Sequence, residues 1–222
     1  MNAQLTLVIG NKNYSSWSMR PWVALRGLEI PFRERQVKFD SDDWRDNIAR
    51  LSPSRLVPVL WEGEPGKGFA TWDTLAIAER LHELFPERGV WPREAQARAR
   101  ARSICAEMHA GFRALRGAMP MNLRSRYPGK GMNDEVAKDI ARIAAIWAEA
   151  RRPYLFGDFC AADAYYAPVA TRFVTYGAEL SGAAKAYQQA LLAAPAVQAW
   201  SAEAVKETEF YAPDEPYASA PG

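Results

Sequence analysis

The sequence predicts a small mixed α/β domain followed by an all-helical one, on three observations. Strand and helix patterns alternate over roughly the first 80 residues. From residue 94 onward only helical periodicity remains. Between the two lies a short linker, residues 86–92, with proline at both ends. A chain of 222 residues has room for one large domain or two small ones, and 49% apolar with 12% aromatic residues is ample for a packed core. The expected division is therefore 1–85, a linker at 86–92, and 93–222.

The elements follow in order. Residues 4–10 (Gln-Leu-Thr-Leu-Val-Ile-Gly) form a largely apolar strand. A turn carrying Asn13, Tyr14, Ser15, Ser16 and Ser18 leads into a helix with Trp22, Val23, Leu25 and Leu28 on its apolar face. Residues 32–39 alternate apolar and polar, as a half-buried strand does. Residues 40–51 read as an irregular or short helical crossing, and residues 52–61 as a strand entered through proline. A Gly-Pro turn, a short strand at 69–72 and a helix opening at Asp73-Thr74 complete a βαβ, β-hairpin, helix order. The second half opens with a long Ala/Arg-rich helix over 94–115, with Ile104, Met108 and Phe112 on one stripe. After a break rich in Gly, Pro and Met, further helices are expected at 133–151, 161–175, 183–192 and 196–208. This is a thioredoxin-like half plus a helical half, by pattern alone.

Composition narrows the function. With 28 basic and 26 acidic residues the net charge is +2. Arg98, Arg100 and Arg102 spread round a helix rather than along one stripe, so no nucleic-acid partner is expected. No apolar run approaches the length of a membrane span, and the first residues enter a strand without the shape of a signal peptide. Cys105 and Cys160 stand far apart without metal-like spacing, which suits two reduced thiols in a cytosolic protein. His82 and His109 read as surface or interhelical residues. Without a third ligand no metal site is expected.

The turn at 13–21 is where chemistry concentrates. The first N–H groups of a helix lack partners and carry partial positive charge. A serine there either caps the helix or donates its hydroxyl hydrogen to an anion. Asp73 and Thr74 at another helix start read equally as a plain cap. Val57-Pro58 alone would be a trans bond on base rate.

Four stretches in this order resemble one family. Ser15-Ser16-Trp17-Ser18, then Val57-Pro58, then Asp73-Thr74-Leu75-Ala76-Ile77, and finally Gly157-Asp158-Phe159-Cys160-Ala161-Ala162-Asp163 are similar to the motifs of serine-type cytosolic glutathione S-transferases. The nearest kin are the zeta-like bacterial members, and the resemblance runs through nearly the whole chain. It implies the fold of that family, a thioredoxin-like glutathione-binding domain followed by a helical bundle. It also implies glutathione as co-substrate, no metal, a cytoplasmic homodimer and a role in detoxification. The Val57-Pro58 bond would be cis, leaving the Val57 backbone free to pair with an extended peptide. Thr74 would hold the γ-glutamyl carboxylate and Asp73 its ammonium. Related enzymes usually carry Glu or Gln followed by Ser at these two positions, so Asp73 reaches less far.

Activating the thiol needs little. Lowering its pKa by about two units requires roughly 2.7 kcal/mol. One hydroxyl hydrogen bond to the anion supplies about 1.5–3 kcal/mol, and a helix N-terminus about 0.3–1 more. Matching Ser-Ser-x-Ser makes Ser15 the expected activating residue, and counting back from Arg20 makes Ser16 its immediate competitor. With no cysteine before Cys105, thiol–disulfide exchange by the protein itself is excluded. Phe112, Met119, Arg172 and Tyr176 are the candidates for an electrophile pocket, Arg172 suiting a carboxylate-bearing substrate. Zeta isomerases carry their substrate arginine where this chain has Thr175. The activity expected is a glutathione S-transferase. A maleylacetoacetate isomerase-like reaction, or a non-catalytic binding or stress protein of the same fold, are the alternatives. Cys160 replaces the usual Ser or Thr at a helix start, and Asp163 is expected to close a capping box there.

Overall fold

The computed structural model describes residues 4–218. Its first part runs β1 (Leu5–Ile9), α1 (Ser16–Gly27), β2 (Arg33–Gln36), α2 (Asp42–Leu51), β3 (Val59–Glu62), β4 (Phe69–Thr71) and α3 (Thr74–Leu84). The strands form one mixed sheet in the order β2-β1-β3-β4. β1 and β2 are parallel, with Thr6 opposite Arg33. β3 runs antiparallel to both neighbours, with Leu60 opposite Leu7 on one side and Thr71 on the other. A short 3₁₀ turn at Pro86–Arg88 leads to α4 (Ala95–Ala110), α5 (Arg113–Ala118), α6 (Asp134–Ala148), α7 (Ala161–Tyr176), α8 (Gly182–Ala193) and α9 (Pro195–Ala204). The fold class is thus a thioredoxin-like sheet domain joined to a helical bundle.

Packing shows why α1 matters. Leu7 and Ile9 of the sheet, Val23 and Leu25 of α1 and Ile77 of α3 lie in the same hydrophobic cluster as Met108, Tyr166 and Trp200 of the helical part. One core therefore serves both halves. A smaller cluster of Val8, Val37, Leu51, Val59 and Trp61 fills the other face of the sheet beneath α2. Cys105 and Cys160 are free and buried, and desolvation pushes both thiols up.

Several elements differ from the sequence expectation, β3 among them, which begins at Val59 rather than at residue 52. Residues 42–51 form a regular helix, capped by Ser41, whose Oγ accepts the Trp44 N–H at 3.1 Å. β2 stops at Gln36 rather than continuing to residue 39. The helix expected over 94–115 is broken into α4 and α5. Phe112 sits at the break with a φ of 55°, and a Cβ on Gly111 would lie 2.8 Å from the Glu107 carbonyl oxygen. Continuing the helical stripe through Phe112 missed this reversal, because Phe112 is buried either way.

The start of α7 rests on one carboxylate. Asp163 accepts the Cys160 N–H at 2.9 Å, closing the expected box, and also the Leu155 N–H and the Tyr187 hydroxyl, both at 3.0 Å. Asp163→Ala would leave three buried donors unpaired. We expect a loss of about 3–5 kcal/mol, or roughly 10 °C in Tm, by thermal denaturation. Cys160→Ser, which adds a better acceptor at the cap, should raise stability by about 0.5–2 kcal/mol.

Candidate functional site

The hydroxyl run lies at the N-terminus of α1, and its members divide the work. Ser15 is the N-cap. Its Oγ accepts the Ser18 N–H at 3.4 Å and donates to Ser18 Oγ at 2.7 Å, which in turn accepts the Gly10 N–H at 3.1 Å. The hydrogen of Ser15 is therefore committed inside the protein. Gly10 is needed for this closeness: a Cβ there would stand 2.6 Å from the Phe39 ring and 3.3 Å from Ser15 Cβ. Ser16 is the first residue of the helix, and its hydroxyl has no hydrogen-bond partner among the described residues. Tyr14, beside them, is latched elsewhere. Its hydroxyl donates to Glu215 at 2.7 Å, and burial with that bond pushes the phenol up to about 12.

The facing wall comes from β3 and α3. The Val57–Pro58 bond is cis. Val57 precedes β3, and its backbone N–H and C=O have no partners among the described residues. Asp73 caps α3, accepting the Leu75 N–H at 2.9 Å, with His109 Nε2 at 3.3 Å from its other oxygen. Thr74 is buried, and its Oγ1 accepts the Tyr165 hydroxyl at 2.7 Å. That contact leaves the Thr74 hydrogen available to a second acceptor.

Two cavities share the rim formed by Trp17, Leu56, Val57 and Arg116. The first, about 690 Å³, is lined by Pro58, Asp73 and Thr74 on one side and by His109 and Arg113 on the other. The second, about 540 Å³, is lined by Ser15, Ser16, Met121, Arg172, Tyr211 and Asp214. The structure thus brings Ser15, Ser16, Val57, Pro58, Asp73, Thr74 and Arg172 to one cleft. It does not bring the other three pocket candidates there. Phe112, Met119 and Tyr176 are packed into the shared core, and the Tyr176 hydroxyl donates to the Pro120 carbonyl at 3.0 Å. An apolar stripe alone cannot distinguish a core residue from a pocket wall.

The cleft carries surplus positive charge. Behind the cleft, lining neither cavity, Arg20 is fully buried and stacked 4.1 Å over Trp17, and its Nε and Nη1 have no partner among the described residues. Arg116 lies 4.4 Å over the same ring and donates to the Met108 and His109 carbonyls. Arg172 Nε donates to the Met119 carbonyl at 2.9 Å. Burial, then repulsion from Arg116 and Arg20, brings Arg172 down to about 9, while burial holds Arg20 at about 10. All remain cationic at neutral pH, and the bonds of Arg116 and Arg172 go to carbonyls rather than carboxylates. Such a site attracts an anion.

Sequence reasoning missed His109, Arg116 and the segment 211–214. The first two become wall residues only because the chain reverses at Phe112. The C-terminal segment has no periodicity to announce it. Among the described residues no group of three His, Cys, Asp or Glu could hold a metal ion, and no helix is long and apolar enough to cross a membrane.

A thioredoxin-like sheet joined to a helical bundle, with a cleft at the start of α1, defines the architecture of the glutathione transferases. Residues 14–84 match the family model described as glutathione S-transferase, N-terminal domain. The chain is 31% identical over 84 residues to glutathione S-transferase 1 of Dianthus caryophyllus, covering 38% of this chain and 36% of that protein. It is 32% identical over 114 residues to a probable maleylacetoacetate isomerase of Vibrio cholerae, covering 47% and 50%. The alignments thus span half or less of these curated relatives. A solved glutathione transferase homolog from Burkholderia with bound glutathione superposes with a TM-score of 0.69 at 24% identity, covering 92% of this chain and all of that one (100%). Residues 14–84 thus match the N-terminal domain of the glutathione S-transferases, and the chain takes the fold of a solved glutathione transferase homolog.

The division between the two serines is open to a test without any ligand. Ser15→Ala removes the cap and strands the Ser18 contact, so it should cost about 0.5–2 kcal/mol in chemical denaturation. Ser16→Ala removes a hydroxyl with no protein partner and should stay within about 0.5 kcal/mol of the parent.

Proposed function

We propose that the chain is a glutathione-dependent transferase in which the Ser16 hydroxyl holds the glutathione sulfur as a thiolate at the start of α1. The observation that carries this is the uncommitted Ser16 hydroxyl, set beside the unpaired Val57 backbone in a cleft with excess positive charge. The positive end of the α1 dipole and one hydroxyl donor together supply the roughly 2.7 kcal/mol that a two-unit drop in thiol pKa requires. No general base is needed. Ser15 supports the same site through its cap.

The rest of the tripeptide has matching groups. The Val57 N–H and C=O pair with its backbone, next to Pro58. The γ-glutamyl carboxylate takes the Thr74 hydrogen, which Tyr165 leaves free by donating to the same oxygen. The ammonium meets Asp73, in competition with His109. The electrophile occupies the second cavity, facing Ser16 and Arg172.

A second reading, glutathione-dependent cis-trans isomerisation, draws on Arg172, whose guanidinium borders that cavity and suits a substrate carboxylate. Against it, Thr175 is buried and donates to the Asn122 carbonyl at 2.7 Å, away from the cleft.

The primary reading is checked by ultraviolet titration of bound glutathione. Ser16→Ala should raise the bound-thiol pKa by about one to two units and lower kcat accordingly, about 10- to 100-fold. An unchanged pKa would sink the assignment. Thr74→Ser keeps the hydroxyl and should stay close to the parent. Thr74→Val should raise KM for glutathione about 10- to 150-fold with little change in kcat, because a contact remote from the sulfur is made equally in ground and transition states. Steady-state kinetics with varied glutathione separates the two.

A further inference from the structure

Arg20 is a fully buried cation for which the free protein supplies no anion. It stands one helical turn after Ser16 on α1 and forms no ion pair among the described residues. Its Nε and Nη1 have no hydrogen-bond partner there either. Burial lowers its proton affinity to about 10, which leaves it charged at neutral pH. A charge of this kind destabilises the fold unless an anion comes within its field.

Two aromatic rings enclose the guanidinium. Its Cζ lies 4.1 Å from the ring centre of Trp17 and 4.8 Å from that of Tyr165 on α7. The Tyr165 hydroxyl donates to Thr74 Oγ1 at 2.7 Å, and Thr74 lines the first cavity beside Asp73. Burial raises the Tyr165 phenol, so it stays a protonated donor at neutral pH. Arg20, Tyr165 and Thr74 also border one internal cavity of about 10 Å³. That volume admits a single water-sized sphere, so no ligand carboxylate reaches the guanidinium itself. Contact with a ligand therefore passes through the Tyr165 and Thr74 hydroxyls. A cation on the face of a phenol ring draws electron density from it and strengthens its hydroxyl as a donor. A stronger bond from Tyr165 to Thr74 Oγ1 in turn polarises the Thr74 hydrogen.

We propose that Arg20 is a positioning residue, the buried counter-charge of the ligand's γ-glutamyl carboxylate, and that it acts through Tyr165 and Thr74. The proposal rests on Thr74 holding that carboxylate. Glutathione bound in this way brings a second anion into the field of Arg20, its sulfur at Ser16. The two targets differ in consequence, because only the first makes the charge matter to the carboxylate alone. Since Tyr165 belongs to α7, the helical half of the chain takes part in holding the γ-glutamyl end.

The test is isothermal titration calorimetry with two ligands, glutathione and γ-aminobutyryl-cysteinyl-glycine, which lacks only the γ-glutamyl carboxylate. In the full-length parent the analogue should bind about 10- to 150-fold more weakly, the worth of one hydrogen bond to a charged group. In Arg20→Met the Kd for glutathione should rise about 10-fold, while that of the analogue stays within about twofold. Met fills the buried site without the charge, so the Tm of the ligand-free variant should equal or exceed the parent's. Tyr165→Phe keeps the ring beside Arg20 and removes the donor. It should narrow the gap between the two ligands by a similar factor, and adding Arg20→Met to it should change little more. Equal loss of both ligands in Arg20→Met, with or without a lower Tm, overturns the proposal. So does a glutathione Kd that is unchanged in either variant. Should Arg20→Met fail to fold, Tyr165→Phe decides by the same criteria. A parent that binds both ligands equally removes the carboxylate from Thr74, and the proposal falls with that contact. A parent that binds neither overturns the glutathione reading itself.

Discussion

Everything in this structure depends on burying α1 almost completely. From Ser16 to Leu25 every residue but Trp17 is buried, because the sheet and α3 cover one side of the helix while α7 and α9 cover the other. A helix with no wet face cannot shift or rotate without opening a cavity in the shared core. Its N-terminus is therefore aimed in one direction, at the cleft. The cost of such burial is polar, since every hydroxyl and N–H at the helix start must find a partner. Ser15, Ser18 and Gly10 meet that demand among themselves, which is why Ser16 alone is left over.

Charge follows the same logic with the opposite outcome. Arg113, Arg116 and Arg172 line the cleft, and Arg20 behind it keeps two nitrogens without partners among the described residues. Burying unpaired cations is destabilising, and the lowered proton affinities of Arg20 and Arg172 record it. An arrangement that weakens the free protein in this way is relieved by an anion in the cleft. Stacking on Trp17 offsets part of the penalty, with Arg20 and Arg116 both lying over its ring.

The loop before α1 is held from three sides. Asn11 Oδ1 accepts the Phe39 N–H at 2.7 Å. Asn13 Oδ1 accepts the Leu123 and Arg124 N–H groups at 2.8 and 3.0 Å. Glu207 accepts the Lys12 and Asn13 N–H groups at 2.8 and 3.0 Å. Residues nearly 200 positions apart thus set the same few ångströms of backbone, and the C-terminal segment is as much a part of the cleft as the strand that opens it.

How much of this was legible in the sequence follows from the range of the interactions involved. Local signals sufficed for the mixed sheet, the bundle and the start of α1, because alternation, helical spacing and caps act within a few residues of themselves. The four short motifs then led to Ser15, Ser16, Val57, Pro58, Asp73 and Thr74, and the fold brings all six to one cleft. The reversal at Phe112 was not legible, since a buried aromatic on a helical stripe looks the same whether the helix continues or turns. Phe112, Met119 and Tyr176 could be recognised as apolar or aromatic, yet only packing decided that they belong to the core. Choosing between Ser15 and Ser16 was also beyond the sequence, because it depends on where Ser18 Oγ and the Gly10 N–H stand in space. Asp214 and His109 lie furthest from legibility: each acquires its neighbours only when segments distant in sequence close the cleft around it.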